Sequence, residues 1–531
     1  MGRSKRQRRI LMKVKHFILF FTFFSPYLFA SSYRIVNVDY EIKGSTRKYA
    51  LERKVDIDKK KIFADEDELI KYINDYKQRV ENTRVFDDIN VDFTVGESND
   101  EEPLPVSIKV GAKDSLHLLV APYPKYNSNS GFKFQLKVKD TNFLGLMETL
   151  TGDFSFAVVQ NSKDEDEPAK YKFGFSTDFA VPFKMGKINS SWNNVIDISY
   201  TIGNTTPEWK LKTGLECSLP YDKFPLNFEF YQSFIRDLDY EDTVINGKNI
   251  HYGDGTYFVE YAKLSVPIRV QEISGWGSIY YTPFIDGTYN WDHNGISELN
   301  SDLLGPEMGI GQTLSASRIN WIENFRNGVS ASLTQSYTYN FKTFVFSPGL
   351  QGEIKFYKAF KQLGIATDIY AFAYMYTSKN IGSRLRGIRD DQYFASGSGA
   401  EDKKACDTPA AVVINLDLPI KIFKAHWKEV PVIKHVPLVK YFDMELQLSP
   451  FVDVAFIKNR ATDTDFSYKD GFLSGGLEMI IYPLRWKGIQ VRGSFGVDLG
   501  RKMPGIKGRL NQYWRKGVSS YEISIGIGLH Y

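Results

Sequence analysis

The feature that most constrains this chain is a repeated alternation of apolar and polar residues, in short segments from about residue 130 to the end. In the last segment, apolar residues occupy every second position: Tyr521, Ile523, Ile525, Ile527, Leu529 and Tyr531. Successive side chains of a β-strand point to opposite faces, whereas a helical face repeats about every 3.6 residues. Each segment therefore predicts a strand with one apolar and one polar face.

The polar faces of these strands need water. One segment alternates Lys133, Lys137 and Lys139 with Phe132, Phe134, Leu136 and Val138. In a soluble β-sandwich each apolar face needs a partner sheet, whereas a membrane barrel turns it to lipid and lines a wet lumen with the polar face. Aromatic residues make up 15% of the chain and only two residues are Cys. With a mean hydropathy of -0.31, this composition favours the barrel, because alternating strands average to a polar value.

The number of strands follows from the alternating segments, of which we count about sixteen or seventeen. Bacterial single-chain barrels have even strand numbers, so we expect about sixteen antiparallel strands within residues 118–531. The predicted fold class is an all-β transmembrane β-barrel preceded by a small α+β domain.

The N-terminal 30 residues have the layout of a secretory signal peptide. A basic segment is followed by the apolar run 17–24 and by Leu28-Phe29-Ala30, which suits cleavage. The alternative is a single anchor helix, for which the apolar run is short. Translation could equally start at Met12, which precedes a more usual basic segment. Export places the mature chain outside the cytoplasm.

Residues 33–112 predict a separate α+β domain. The expected order is strand, helix, helix, strand, strand. Asp65 is a suitable N-cap for the longer helix. Its apolar residues recur at helical spacing: Leu69, Ile73, Tyr76 and Val80.

A local sequence motif gives more specific information about the protein than the alternation does. Leu385-Arg386-Gly387-Ile388 lies in a Gly- and Ser-rich stretch and resembles the Val-Arg-Gly-aromatic motif of the BamA/TamA-like outer-membrane assembly superfamily, also called the bacterial surface antigen family. Residues 122–126, 140–145 and 451–454 are similar to other motifs of that family. Residues 33–112 are similar to its periplasmic POTRA domain. The resemblance covers nearly the whole mature chain.

The resemblance implies that the motif loop folds back into the lumen and is held there by six residues: Leu385, Arg386, Gly387, Ile388, Asp453 and Asp417. An unpaired charge removed from water is costly, and the fork of an Arg suits a carboxylate. The resemblance makes Asp453 the expected partner of Arg386 and Asp417 a weaker one. Three residues depart from the family: Ile388 replaces an aromatic residue, Asn415 stands where a Glu is usual, and Ala455 stands where a Gly is usual. The alternative for Arg386 is a solvated charge on a surface loop. For Arg384 and Arg389 we expect either solvated side chains or pairs with Asp390 and Asp391.

The resemblance also implies a function at the seam between the first and last strands, where client strands are added. The expected seam residues are Phe132, Phe134, Leu136 and Val138 on the first strand, and Gly526, Gly528 and Tyr531 on the last. Gly residues weaken a strand interior, although they could merely accommodate curvature. The implied protein inserts or translocates clients at the bacterial outer membrane, with its POTRA domain in the periplasm. Implied partners are membrane lipid, unfolded β-barrel clients and a periplasmic assembly protein.

No other chemistry is indicated. The seven His residues have no metal-ligand spacing, and we find no nucleophile elbow or P-loop. We therefore expect no enzyme activity, metal or cofactor, and a net charge of +4 does not favour nucleic acid. Cys217 and Cys406 could be free or paired after export. The alternative functions are a passive pore and a secretion-type transporter of the same superfamily. An outer-membrane enzyme has no support in the sequence.

Overall fold

The computed structural model describes a small N-terminal domain and one large barrel. The described residues are 32–97, 103–127, 131–159, 170–204, 206–221, 224–236, 243–245, 248–250, 256–273, 277–291, 306–342, 344–379, 381–388, 408–432, 435–436, 442–460, 464–466, 471–502 and 520–529. The predicted signal peptide lies outside them, as do Cys406 and Tyr531.

The N-terminal domain contains one four-stranded sheet and two helices. Its elements are β1 (Tyr33–Lys43), α1 (Lys48–Lys54), β2 (Ile62–Phe63), α2 (Glu66–Asn82), β3 (Phe86–Val95) and β4 (Leu104–Asp114). The strand order is β2-β1-β4-β3, with β1 parallel to β4. Strand β3 therefore lies at one edge of the sheet.

Helix α2 begins at its N-cap Asp65, whose side chain accepts a hydrogen bond from Glu68 N at 2.7 Å. The four apolar residues at helical spacing are all buried and pack into the domain core. Met147 belongs to the same core although it comes from a turn of the barrel. This packing joins the two parts of the chain.

The barrel strands follow from residue 118 onward. They are β5 (Leu118–Asn127), β6 (Gly131–Asp140), β7 (Leu150–Val159), β8 (Lys170–Met185), β9 (Ile188–Thr201), β10 (Glu208–Tyr221), β11 (Phe224–Arg236), β14 (Thr256–Ser265), β15 (Ile268–Ile273), β16 (Gly277–Trp291), β17 (Pro306–Ile322), β18 (Phe325–Asn340), β19 (Val345–Ala359), β20 (Gly364–Tyr374), β21 (Ala410–Asp417), β22 (Ile420–Ala425), β23 (Met444–Asn459), β24 (Thr464–Asp465), β25 (Phe472–Pro483), β26 (Val491–Asp498) and β27 (Tyr521–Ile527). Two further short strands, β12 (Thr243–Ile245) and β13 (Lys248–Ile250), pair with each other, and α3 (Leu499–Lys502) follows β26.

Three of the barrel strands are interrupted and consist of two segments each. Strands β14 and β15 share the partner β16, β21 and β22 share the partner β23, and β24 and β25 also both pair with β23. When each interrupted strand is counted once, the described residues form a closed ring of eighteen antiparallel strands, which we call crossings. Five of them follow the motif loop, as the resemblance implied.

The eighteen crossings exceed the expected sixteen by two, and the difference lies before the motif loop. Several strands there are joined by very short turns, such as residues 186–187 and 323–324. An alternation that continues across so short a turn resembles one long strand in the sequence. An up-and-down barrel whose first strand begins and whose last strand ends on the same side needs an even number of strands. Eighteen meets this requirement.

The two faces of the barrel wall differ as the alternation predicts. Ile310, Leu314 and Leu333 project outward with about half or more of their surface exposed. On the inner face the hydroxyl groups of Thr313 and Thr334 lie 3.0 Å apart. The outer apolar surface suits lipid, so the predicted class of transmembrane β-barrel is confirmed.

The α+β domain precedes the barrel as predicted; its likeness to a POTRA domain stays a prediction. Within the described residues, no helix has the length and apolar character needed to span a membrane.

Candidate functional site

The motif loop leaves β20 and enters the barrel lumen. Residues 382–384 form one 3-10 turn, and Ile381 and Leu385 on either side of it are almost completely buried. Both pack in a cluster with inward-facing side chains of β20, β21 and β23, among them Val413 and Ala455. Apolar contact with three strands therefore holds the loop against one wall of the barrel.

Arg386 lies at the centre of this loop and uses its whole fork. Its Nε and Nη2 donate to the two carboxylate oxygens of Asp453 at 3.0 and 2.7 Å. Its Nη1 and Nη2 donate to the two oxygens of Asp417 at 2.6 and 3.0 Å. The Arg side chain is 6% exposed and both carboxylates are fully buried. Charge-assisted bonds of this geometry compensate the cost of burial and fix the position of the loop.

Asp453 also accepts a hydrogen bond from the backbone N of Arg386 at 2.8 Å. Among the described residues of the loop, Asp417 bonds the guanidinium of Arg386 and does not bond the backbone. Asp453 thus fixes both the backbone and the side chain of Arg386, which makes it the stronger of the two partners.

Two more side chains complete the surroundings of Arg386. The guanidinium lies 3.7 Å from the centre of the Phe451 ring, which provides a cation–π contact. Phe451 therefore supplies an aromatic face near Arg386 although the loop itself has Ile388 in place of an aromatic residue. Glu478 lies 3.7 Å from Arg386 and 3.3 Å from Arg492, between the two cations. Sequence reasoning missed Glu478; its signal is a Glu on the inner face of β25.

Gly387 forms the tip of the loop. Its φ of +82° is unfavourable for residues with a Cβ, and a Cβ there would lie 2.6 Å from the carbonyl carbon of Gly496 on β26. The backbone N of Gly387 donates to Glu522 Oε2 on β27 at 3.2 Å. The loop tip therefore contacts the last two strands of the barrel. Glu522 was also missed, and its signal is a Glu between two apolar positions of the last strand.

The expectation for Arg384 was wrong. Its side chain bonds Asp368 at 3.3 Å and Glu353 at 2.9 Å, and it lies over the ring of Tyr370. The 3-10 turn directs Arg384 to the wall formed by β19 and β20 instead of to solvent. Asn415 donates from Nδ2 to the backbone O of Arg384 at 2.7 Å, a bond for which a Glu carboxylate has no proton donor. Arg389 lies outside the described residues.

The seam also differs from its predicted composition. The barrel closes between β27 and β5, so β6 is the second strand. Phe132, Phe134, Leu136 and Val138 lie on β6 and hence one strand away from the seam. The reason is that residues 118–127 form a strand of their own, although their two Pro residues weaken the sequence signal for one.

The last strand ends earlier than its alternation predicts. Gly526 lies within β27, but Gly528 has a φ of +97°, which turns the chain out of the strand. Leu529 was predicted on the outer face with Ile527, whereas it packs against Tyr357 and Ala366 inside the barrel. These two residues lie on β19 and β20, several strands away along the ring. Leu529 therefore lies on the inner side of the barrel.

The contacts of the motif loop are ion pairs, hydrogen bonds and apolar packing, which fix the position of the loop. No group of three or more His, Cys, Asp or Glu side chains among the described residues could hold a metal ion. Cys217 lies on β10 and forms no disulfide within the described residues, which do not include Cys406. What the site can do is hold an internal loop in one position against strands β21, β23, β26 and β27.

Comparison with known proteins gives structural likenesses only. No family model matches the chain, and no curated protein sequence matches it. BamA from Haemophilus ducreyi lacking POTRA domains 1–3 is 14% identical, with 93% of this chain and 84% of that chain covered and a TM-score of 0.34. CdiB from Acinetobacter baumannii is 9% identical over 93% of this chain and 73% of that one, with a TM-score of 0.42. CdiB from Escherichia coli is 7% identical over 94% and 77%, with a TM-score of 0.43. Identity and TM-score are too low for these likenesses to bear on function.

Proposed function

We propose that this chain is an outer-membrane barrel that inserts or translocates client proteins by strand addition at the seam between β5 and β27. The observation that carries the proposal is the mismatch of these two strands. Strand β5 has ten residues and β27 has seven, so at least three residues of β5 extend beyond the described part of β27. Backbone groups at such an edge form a template for another strand.

The length of β27 supports the same proposal. Tilted membrane-spanning strands usually need about 9–11 residues, so seven residues make a short closing strand. The chain turns away at Gly528, which limits the pairing of β27 at that end. A short final strand is held by few backbone hydrogen bonds and can be displaced by a client strand at low cost.

The lumen loop connects this seam to the rest of the barrel. Arg386 is fixed to β21 and β23, while the neighbouring Gly387 contacts Glu522 on β27. Displacement of β27 therefore breaks a contact with the loop. In the proposed mechanism the loop supports the inner side of the last strand and sets how readily the seam opens.

The edge strand β3 of the N-terminal domain supplies a second template. Among the described strands of the domain, β4 is the only one that pairs with β3. Strand addition at β3 would bring a client, or a periplasmic assembly partner, to the barrel. In this proposal the domain acts as a POTRA domain in the periplasm of a bacterium with an outer membrane.

The direct test is reconstitution into liposomes with an unfolded client barrel. We expect the client to fold faster than in empty liposomes. Folding is measured over time by the gel shift that marks folded barrels. If folding is no faster while small solutes leak freely, the protein is a passive pore and the proposal is lost.

A seam disulfide makes the test specific. In a variant with Cys217 and Cys406 replaced by Ser, Val120→Cys is combined with Ile523→Cys or Ile525→Cys, and the pair that oxidises is kept. Oxidation should abolish the acceleration and reduction should restore it. The matched control is Leu314→Cys with Leu333→Cys, which face each other on β17 and β18 and should leave the acceleration unchanged.

A further inference from the structure

The outer surface of strands β6–β9 carries two parallel rows of large apolar side chains. Each row crosses the four strands through directly paired residues. The first row consists of Phe134, Phe156, Phe173 and Tyr200, and the second of Leu136, Phe154, Phe175 and Ile198. Six of these eight side chains are exposed. Since side chains alternate between the two faces of a strand, both rows face away from the lumen.

A groove of about 440 Å³ lies between the two rows. Its floor is the backbone at Ser155 and Gly174, which pair with each other on β7 and β8 at a position between the rows. The other residues that line the groove have hydrocarbon side chains, apart from the hydroxyl group of Tyr200. Small-molecule sites usually have volumes of about 300–1,000 Å³ and mostly apolar linings, so the groove has the size and the chemistry of a binding site.

Contacts between aromatic rings hold the walls of the groove in place. The ring centres of Phe154 and Phe175 lie 4.9 Å apart, and those of Phe156 and Phe173 lie 5.3 Å apart. Tyr171 also stacks on Phe156, with ring centres 5.8 Å apart. Ring pairs at these distances attract each other in addition to the effect of burial. The groove is therefore a preformed feature of the barrel wall.

The groove leads from one edge of the barrel toward the seam. At one end, Tyr200 lies one residue before the end of β9, and its hydroxyl donates to Asn204 O at 3.1 Å. This edge is remote from the N-terminal domain, which contacts the β6–β7 turn. Tyr is typical of a membrane–water interface. At the other end, Leu136 pairs with Pro122 on β5, the first strand of the ring.

The tilt of the strands determines the course of the groove in the membrane. Membrane-spanning strands tilt by about 35–45°, so a groove that crosses them at right angles is inclined to the membrane plane by the same angle. From the interface at β9 it descends into the hydrocarbon region and ends beside β5. Only hydrocarbon chains fill that region of a bilayer.

We propose that this groove binds one acyl chain of an outer-leaflet lipid, with the headgroup at the β9 edge and the chain end beside β5. The groove is continuous with the lipid-facing surface of the barrel, and its apolar lining matches a hydrocarbon chain. A bound chain becomes a fixed part of the outer wall one strand away from the seam. The inference concerns lipid binding and does not depend on client insertion.

The test uses the whole protein in phosphatidylcholine vesicles that contain a small fraction of phosphatidylcholine with a diazirine near the end of one acyl chain. After illumination, mass spectrometry locates the crosslinked residues. Adducts at Phe154 should be severalfold more frequent than at Leu314 and Leu333, which are similarly exposed on the outer face of β17 and β18. Equal frequencies at the three residues would show contact with bulk lipid alone and would overturn the proposal.

Two variants fill the groove from opposite ends. In Leu136→Trp and in Ile198→Trp the larger ring takes up space that the acyl chain needs, so adducts at Phe154 should fall severalfold. The matched control is Leu314→Trp, the same kind of change on a lipid-facing residue outside the groove, which should leave these adducts unchanged.

The heat-induced gel shift shows whether each variant barrel is folded, and the measurement on the native chain decides the proposal where a variant does not fold. Folded groove variants that lose no more adducts than Leu314→Trp would exclude the site. Because no client is present, this outcome is independent of insertion at the seam.

Discussion

The guanidinium of Arg386 meets the carboxylate of Asp453 through two hydrogen bonds of 3.0 and 2.7 Å, and the same carboxylate accepts the backbone N of Arg386 at 2.8 Å. A loop residue and a strand residue 67 positions apart are thereby fixed in two ways at once. Both lie inside the barrel, where water competes weakly for these bonds. This contact fixes the loop to the barrel wall at β23.

We expect Arg386→Ala to impair client insertion more than barrel formation. The substitution leaves Asp417 and Asp453 buried without their main cation, and loss of one partner of a buried pair costs about 3–5 kcal/mol. The loop should leave its position while the strands still pair. Client folding rates and the heat-induced gel shift of the barrel measure the two effects separately. Arg386→Lys keeps the charge but not the fork, so it should show an intermediate defect; normal insertion by Arg386→Ala would contradict the role of the loop.

The two Asp partners should differ in importance. Asp453→Asn removes a charge that binds both the side chain and the backbone of Arg386, whereas Asp417→Asn affects the guanidinium alone. We therefore expect a lower unfolding temperature and slower client insertion for Asp453→Asn than for Asp417→Asn. Equal defects would show that the backbone bond contributes little.

Gly387→Ala should displace the loop tip. A Cβ at this position meets the backbone of Gly496 at 2.6 Å, and left-handed backbone costs about 1–2 kcal/mol for a residue with a Cβ. The unfolding temperature and the rate of client insertion should both fall. Gly186→Ala is the control, because its φ is also positive but its Cβ would meet nothing within 4 Å. A similar insertion defect in both variants would indicate that backbone strain alone is responsible.

Glu522→Gln tests the link between loop and seam. The side chain keeps its size and an oxygen acceptor for Gly387 N, but the charge-assisted bond becomes a neutral one of roughly half the strength. We expect the seam to open more readily, seen as faster oxidation of the seam cysteine pair. Glu353→Gln, which affects Arg384 on the far wall, should leave seam oxidation unchanged.

Met147→Ala should loosen the N-terminal domain from the barrel. Met147 is buried in the core of that domain, and large-to-small substitutions at such sites cost about 2–5 kcal/mol. Limited proteolysis should release the domain faster while the barrel keeps its heat-induced gel shift. Met185→Ala, an exposed residue on β8, is the control. Unchanged proteolysis in Met147→Ala would mean that this contact does not hold the domain.

Local signals in the sequence led to some parts of the site and not to others. The Leu385–Ile388 motif and Asp453 could be connected through the family resemblance. The partners of Arg384, the contact of Glu522 and the position of Leu529 could not, because each depends on which strands face one another across the lumen. The strand number was underestimated because very short turns leave little interruption in the alternation.

The sequence by itself determined the transmembrane barrel and the α+β domain before it, because alternation and helical spacing are local properties that persist in any tertiary arrangement. Only the tertiary structure decided the rest: β5 as the first strand, the chain turn at Gly528, and the alignment of the two apolar rows across β6–β9. These features depend on strand register and on closure of the ring, which bring together residues hundreds of positions apart. No local pattern in the sequence contains that information.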